Sequence, residues 1–204
     1  MSTKLVEGIE SKLREYVTPE RYEHTLNVRN TALRLGEKYG GGLNKIEIAS
    51  LLHDVARDLS LERMQRLVKE EQLDPGEAAF IYNSPLLLHS YAGKEIARRD
   101  FMIRDPDILE AVRVHTAGAR SMGIIARIVF VADYIEPGRT FRGIKRAREL
   151  AGYSLERVML YIYKTVMKRL LQNNRFLCQD TLFGYNELVL KKTGSGWTFR
   201  IKVD

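Results

Sequence analysis

The stretch Leu51-Leu52-His53-Asp54-Val55-Ala56-Arg57-Asp58 places an adjacent His–Asp pair inside an otherwise apolar run. Burying an imidazole beside an ionised carboxylate is costly unless the charge is compensated, and a bound metal ion is the usual compensation. An isolated His–Asp dipeptide is more often a partly buried histidine beside a capping aspartate. The meaning of the pair therefore depends on the other polar residues of the chain.

The remaining histidines lie in similar surroundings. The chain has 4 histidines, and His24, His89 and His115 each occupy a helix-like, partly apolar segment. A further acid, Asp133, lies in the apolar run 128–135, where a carboxylate needs a counter-charge. Together with the His–Asp pair, these residues form a candidate set of metal ligands.

Helix start signals recur along the chain and predict a helical bundle with the ligands in its core. Thr18 before Pro19 is an N-cap followed by proline at the first helical position, and Asn44 with Glu47 resembles a capping box. Ser–Pro and Asp–Pro steps start two further helices. The predicted helices cover residues 3–16, 19–39, 45–57, 121–135, 143–150 and 155–172, and others begin after residues 60 and 75 and at residues 85 and 106.

The chain changes character near residue 187. Residues 188–192 and 197–203 flank Gly194-Ser195-Gly196, and the second segment alternates apolar with polar side chains, which predicts a β-hairpin. The expected fold is therefore all-α, a helical bundle with a short C-terminal β-hairpin. We divide the chain into a main domain over residues 1–186 and a hairpin extension over residues 187–204.

Composition limits the function further. The length of 204 residues suits one domain with a substantial core. There is neither an apolar run of about 20 residues nor an apolar signal core, which argues against a membrane partner. The single cysteine, Cys178, excludes an internal disulfide and fits a reducing compartment, so we expect a cytoplasmic protein.

The net charge of +7 raises the question of nucleic-acid binding. The basic residues are spread along the chain, and their densest group, over residues 142–148, is better explained as a solvated helix face. We therefore do not expect a nucleic-acid partner. A positive field would also attract a polyphosphate substrate.

The motifs, in their order, resemble the HD-domain metal-dependent phosphohydrolases. Within that superfamily the chain is similar to the YqeK-type symmetrical bis(5'-nucleosyl)-tetraphosphatases, over roughly residues 5–186. The most specific block is Ala132-Asp133-Tyr134-Ile135-Glu136-Pro137-Gly138-Arg139, and the others cover residues 21–25, 49–54, 87–90 and 115–118. The resemblance implies an HD-domain bundle that hydrolyses diadenosine tetraphosphate, a dinucleoside polyphosphate, to two ADP.

The resemblance also implies roles for the candidate ligands. A metal would be held by His24, His53, Asp54 and Asp133, of which the last three serve catalysis. Imidazole and carboxylate ligands without a thiolate suit a divalent transition metal, with iron first and manganese, cobalt, nickel or zinc as alternatives. His89 and His115 either bind a second ion bridged by Asp54 or contact phosphate oxygens, and the resemblance favours phosphate contact.

Substrate contacts are expected from arginines and from the C-terminal segment. Arg21, Arg57 and Arg139 are suited to grip phosphates, because a guanidinium binds phosphate oxygens in a bidentate manner. The resemblance assigns Thr181 and Asn186 to the nucleotide. The family's His–Pro before the threonine is replaced here by 178–179, and its Arg before the asparagine by a tyrosine. These departures leave recognition of the base and ribose open.

Two other functions remain open from the sequence. Another HD phosphohydrolase, acting on nucleoside monophosphates or guanosine tetraphosphate, would keep the metal and change the pocket. A non-catalytic nucleotide- or RNA-binding regulator would keep the basic surface without needing a hydrolytic water. Assembly as a homodimer also stays open.

Overall fold

The structure, a computed structural model, describes residues 2–69 and 73–193, and all regular elements of this part of the chain are helices. They are α1 (Ser2–Leu13), α2 (Pro19–Tyr39), α3 (Leu43–Leu52), α4 (Leu61–Leu67), α5 (Ala78–Tyr82), α6 (Pro85–Arg99), α7 (Pro106–Val114), α8 (Ile124–Ile135), α9 (Ile144–Ala151), α10 (Leu155–Gln172) and α11 (Gln179–Thr193). The predicted all-helical bundle is confirmed. Among these helices, none has both the length and the apolar character required to span a bilayer. The cytoplasmic location and the homodimer stay predictions.

Four of the described helices, α2, α4, α7 and α10, begin at a residue whose side chain caps the helix. The side chain of Thr18 accepts a hydrogen bond from the backbone of Arg21, and Asp105 and Ser154 cap α7 and α10 in the same way. Such caps satisfy backbone N–H groups that have no partner within the helix. The capping box predicted at Asn44 is wrong, because α3 begins at Leu43, two residues before the predicted start, and its N-cap is Gly42, which has no side chain.

The helix that carries the His–Asp pair is shorter than the predicted span of 45–57. α3 ends at Leu52, and the chain continues in tight turns, with the amide of Val55 bonded to the carbonyl of Leu52 and that of Arg57 to the carbonyl of Asp54. His53 is the C-cap of the helix. The turns direct both His53 and Asp54 inward, where both are buried.

The core of the bundle lies where α2, α3, α7 and α8 meet. α2 packs against both α3 and α8, and α7 packs against α3, α6 and α8. Fully buried aliphatic side chains such as Val28, Leu51, Val112 and Val129 fill this junction. Burial of apolar surface is the main stabilising contribution to folding, so these four helices form a rigid support for polar groups placed among them.

The predicted β-hairpin is wrong in its first strand. Residues 188–192 belong to α11, which packs against α10. Tyr185 and Leu188, three residues apart, both contact the core, whereas Leu190 is 62% exposed. This spacing is helical, and burial of one helix face overrides the strand propensity of the segment. The second predicted strand, 197–203, lies outside the described residues. The domain division at 186/187 stays a prediction.

Candidate metal centre

Four histidines and two aspartates converge at the junction of the central helices. His24 comes from the second turn of α2, and Asp133 from the last turns of α8. The other four come from the end of α3, from α6 and from the C-cap of α7, namely His53, Asp54, His89 and His115. The structure thus brings together every residue that the sequence analysis selected as a candidate metal ligand.

Asp54 lies at the middle of the cluster and faces two groups of histidines. Its Oδ1 lies 3.2 Å from Nε2 of His89 and 3.3 Å from Nε2 of His115. Its Oδ2 lies 3.7 Å from Nε2 of both His24 and His53. We call His24, His53 and Asp54 the first group, and Asp54, His89 and His115 the second group. In each group the three potential ligand atoms lie within 4.8 Å of one another. Asp133 adds a second carboxylate, with Oδ1 at 3.2 Å from Nε2 of His24.

The histidine tautomers follow from bonds made on the far side of the rings. Nδ1 of His53 donates to the carbonyl of Ser50 at 2.6 Å, so its Nε2 is left with a lone pair that faces Asp54. Nε2 of His53 and Nε2 of His24 are buried and form no hydrogen bond within the described part of the chain. A buried polar atom without a partner is unfavourable, and a metal ion would satisfy both nitrogens. The residues therefore fit a divalent metal ion.

The charge states of the first group and of Asp133 suit the binding of a metal ion. Burial lowers the pKa of His53 to about 4, which keeps the imidazole neutral near pH 7. Burial acts to raise the pKa of Asp54, but His53, His115 and His89 outweigh it and hold that pKa well below its usual range. Burial likewise acts to raise the pKa of Asp133, but the neighbouring His24, His53 and Arg139 together outweigh it, so the pKa of Asp133 is also lowered. Neutral imidazoles and ionised carboxylates are the forms that bind metals.

The second group differs because its two imidazoles face each other. Nε2 of His89 and Nε2 of His115 are 3.1 Å apart, a distance that requires a shared proton or an ion between them. Burial lowers the pKa of His89. Burial also acts to lower the pKa of His115, but its hydrogen bond with Asp54 outweighs burial and raises the pKa. The contact with Asp54 thus favours the protonated form of His115, whose Nδ1 donates to the carbonyl of Val112.

Two of the three candidate arginines bind carboxylates of the cluster. Nη1 of Arg21 lies 2.8 Å from Oδ2 of Asp54. Arg139 donates to Asp133 twice, from Nη2 to the carboxylate at 2.6 Å and from Nε to the backbone carbonyl at 3.1 Å. Arg57 is half-buried, and its guanidinium forms neither a hydrogen bond nor an ion pair with any residue that the structure describes, while its charge acts to lower the pKa of His89. Arg57 therefore lies beside the second group as an uncompensated cation.

The two C-terminal candidates occupy different places. Thr181 is buried, and its hydroxyl donates to the carbonyl of Ala117, close to the end of α7 that carries His115. Asn186 lines a separate surface concavity of about 490 Å³ that contains none of the clustered ligands. Their roles in nucleotide binding stay predictions.

The sequence analysis gave no role to two residues in contact with the cluster. The hydroxyl of Thr116 lies 3.2 Å from Nε2 of His89 and 3.0 Å from Nε2 of His115. Glu136 is 3% exposed, and its Oε1 lies 3.3 Å from Nδ1 of His24. Both residues lie within sequence blocks that carry the family resemblance. Their place in these blocks was the only feature of the sequence that could have indicated a role at the site.

Comparison with known proteins agrees with this geometry. Residues 21–138, which include all six clustered side chains, match the family model of the HD domain. The chain belongs to the HD-domain family. The resemblance inferred from the motifs is thereby confirmed.

Relatives with assigned names extend the match beyond the domain. The chain is 35% identical over 177 residues to the symmetrical bis(5'-nucleosyl)-tetraphosphatase of Bacillus subtilis (strain 168), covering 87% of this chain and 94% of the relative. It is 33% identical over 180 residues to the protein of the same name from Halalkalibacterium halodurans, covering 88% and 95%. The crystal structure of a predicted HD superfamily hydrolase involved in NAD metabolism, from Clostridium acetobutylicum, superposes with a TM-score of 0.84 at 32% identity, covering 91% of this chain and 97% of that one.

Proposed function

We propose that this HD-domain chain is a metal-dependent hydrolase that cleaves diadenosine tetraphosphate, and related dinucleoside polyphosphates, symmetrically to two ADP. The observation that carries the proposal is the cluster centred on Asp54, in which buried imidazole nitrogens without partners face an ionised carboxylate. The named relatives supply the substrate class, since they match over nearly their whole length.

The first group would hold the metal ion. His24, His53 and Asp54 present their ligand atoms within 4.8 Å of one another, and Asp133 approaches from α8. Nitrogen and oxygen ligands without a thiolate suit iron, which we propose as the native metal, and also manganese, cobalt, nickel or zinc. When bound, such an ion supplies positive charge to the phosphoryl group and activates a water molecule for attack.

The second group would position the phosphate chain. Nε2 of His115 faces Asp54 and His89, and we propose that both imidazoles and the hydroxyl of Thr116 contact phosphate oxygens, each imidazole donating when its Nε2 carries a proton. Arg57 adds a cation that the fold does not neutralise. Arg139 uses two of its five N–H groups to bind Asp133, so its other N–H groups are available to bind substrate. Donors fixed before the reaction stabilise charge that develops during it, and they hold the phosphorus in line for attack.

A symmetrical cut requires attack at one of the two inner phosphorus atoms of the tetraphosphate. The protein must therefore hold the middle of the chain between the two groups that share Asp54, with one nucleotide extending to each side. The positive charges of Arg57 and Arg139 suit the polyanion in this position. No feature of the cluster favours a nucleoside monophosphate or guanosine tetraphosphate.

The test combines metal content with product analysis. Purified wild-type protein should contain a transition metal by elemental analysis and convert diadenosine tetraphosphate to ADP alone. Asp54→Ala should remove both the metal and the activity, because it deletes the ligand common to both groups. Asp107→Asn is the matched control, since Asp107 is exposed and pairs with Lys45 far from the cluster, and it should retain both.

Two outcomes would contradict the proposal. Stoichiometric metal in the Asp54→Ala protein would mean that the ion lies elsewhere. Formation of ATP plus AMP would exclude symmetrical cleavage, and turnover of nucleoside monophosphates without turnover of any dinucleotide would favour a different phosphohydrolase.

A further inference from the structure

Glu136 lies directly behind the proposed metal ligand His24. It follows the last residue of α8, and its side chain is almost fully buried. Oε1 lies 3.3 Å from Nδ1 of His24, while Nε2 of the same ring faces Asp133. A carboxylate that accepts the Nδ1 proton fixes the tautomer in which Nε2 keeps its lone pair, and it makes the ring a stronger ligand.

The Glu136 carboxylate is itself held in position at both oxygens. Oε2 accepts a hydrogen bond from the backbone N–H of Gly138 at 2.5 Å. Oε1, which faces His24, also lies 3.6 Å from Nε of Arg139. Arg139 in turn binds Asp133. The Glu136 carboxylate therefore contacts the proposed metal ligand His24 and also the arginine that pairs with the proposed ligand Asp133.

The backbone around Glu136 is fixed by Arg148 of α9. The guanidinium of Arg148 donates to the carbonyl of Ile135 at 2.9 Å, to that of Glu136 at 2.7 Å and to that of Arg139 at 2.9 Å. These carbonyls lie at or beyond the C-terminal end of α8, where carbonyl groups have no partner within the helix. Arg148 therefore holds the turn in one conformation, and the Glu136 side chain starts from a fixed point.

A side chain at position 138 would crowd the Glu136 carboxylate. A Cβ on Gly138 would lie 3.0 Å and 3.1 Å from the two carboxylate oxygens of Glu136. Gly138 does not adopt the left-handed backbone conformation, so alanine would cause no backbone strain there. Gly138→Ala would thus displace the carboxylate while preserving its charge.

We propose that Glu136 is a positioning residue of the metal centre, which orients His24 and strengthens its bond to the ion. This inference rests on the proposed function in one respect, because it requires an ion held by His24. A purely structural role is the alternative, in which Glu136 only caps the N–H of Gly138 at the end of α8. The two roles differ in their effect on metal affinity.

Glu136→Gln separates these roles. Glutamine has nearly the same size and can still accept a bond from Gly138, but it lacks the charge. Metal affinity, measured by competition with a chelator, should fall about 10- to 100-fold, the range typical of losing a partner of a ligating histidine. The visible absorption bands of the cobalt(II)-loaded protein should also change, since they report the ligand geometry around the ion, to which His24 would contribute. Gly138→Ala should weaken the affinity in the same direction through displacement of the carboxylate.

The control is Glu95→Gln. Glu95 is also buried and lies 2.7 Å from Nη2 of Arg98, but it contacts no residue of the cluster, so this variant should bind metal like the wild type. If the wild type binds no ion, both the proposed function and this inference are overturned. If the wild type binds an ion and Glu136→Gln matches it in affinity and cobalt spectrum, this inference alone is overturned, even where the melting temperature falls. If Glu136→Gln fails to fold, the affinity of Gly138→Ala decides in the same way.

Discussion

Replacing Arg57 with glutamine would test how the protein grips phosphate. Arg57 is half-buried and its guanidinium has no hydrogen-bond or ion-pair partner within residues 2–69 and 73–193, although its charge acts on the pKa of the nearby His89. A cation that stabilises no carboxylate contributes little to folding. The free energy of unfolding should therefore change by less than about 0.5 kcal/mol.

Activity should change much more than stability. A hydrogen bond to a charged group contributes about 1.5–3 kcal/mol, and about 1.4 kcal/mol corresponds to a tenfold change in rate. Loss of one such bond from Arg57 to a phosphate predicts a fall in kcat/KM of about 10- to 150-fold for diadenosine tetraphosphate. Arg57→Lys keeps the charge without the bidentate geometry, so it should recover part of this loss.

The assay is ADP release as a function of substrate concentration, with metal content and thermal unfolding measured on the same samples. Arg21→Gln provides a contrast, because Arg21 lies 2.8 Å from the Asp54 carboxylate and its loss should also disturb the metal. A kcat/KM within about threefold of wild type in the Arg57→Gln protein would refute phosphate binding by Arg57. A large fall in melting temperature would refute the claim that the fold does not use this cation.

Three further predictions concern other parts of the structure. His89→Ala and His115→Ala should each leave the metal count per chain unchanged while lowering kcat, and a fall from two ions to one by elemental analysis would instead show a second metal site. Gly118→Ala should destabilise the protein by about 2–5 kcal/mol in denaturant unfolding, because Gly118 has a φ of +71° and a Cβ would lie 2.0 Å from the Tyr163 hydroxyl oxygen. Gly8→Ala, with nothing within 4 Å, should be neutral or stabilising, and an equal loss in both variants would contradict this reasoning. Burial raises the pKa of the Cys178 thiol, so a disulfide reagent near pH 7 should modify the native chain far more slowly than the unfolded one, and equal rates would show that Cys178 is not buried.

Helix positions were largely predictable because their signals are local. A cap such as Thr18 and the proline after it act within one turn, and α2 begins and ends at the predicted residues. The same holds for α10, which the apolar stripe after Ser154 defines. The capping box predicted at Asn44 was wrong because a helix does not require a side-chain cap. Here a glycine turn starts the helix without one. The predicted strand over 188–192 failed because packing against α10, which is not local, selects the helix.

The membership of the metal centre was predictable, but its arrangement was not. The histidines and the acids in apolar runs stand out by composition, since burial of such groups requires compensation. That Asp54 directs one oxygen to each group follows from the turns after α3, which no short motif encodes. Glu136 is separated from His24 by 112 residues, and only the fold brings the two side chains together.

The spacing of the ligands along the chain has a consequence for the lifetime of the protein. His24 and Asp133 stand far apart in sequence, and an ion shared by them would close a long loop in a chain that has no disulfide to do so. Such a closure acts as a reversible cross-link whose strength depends on the free ion concentration, reaching about 2.7 kcal/mol at one hundred times the dissociation constant. Starvation for the metal would then lower catalysis and resistance to proteolysis together, and the abundance of the protein would follow the metal supply of the cell.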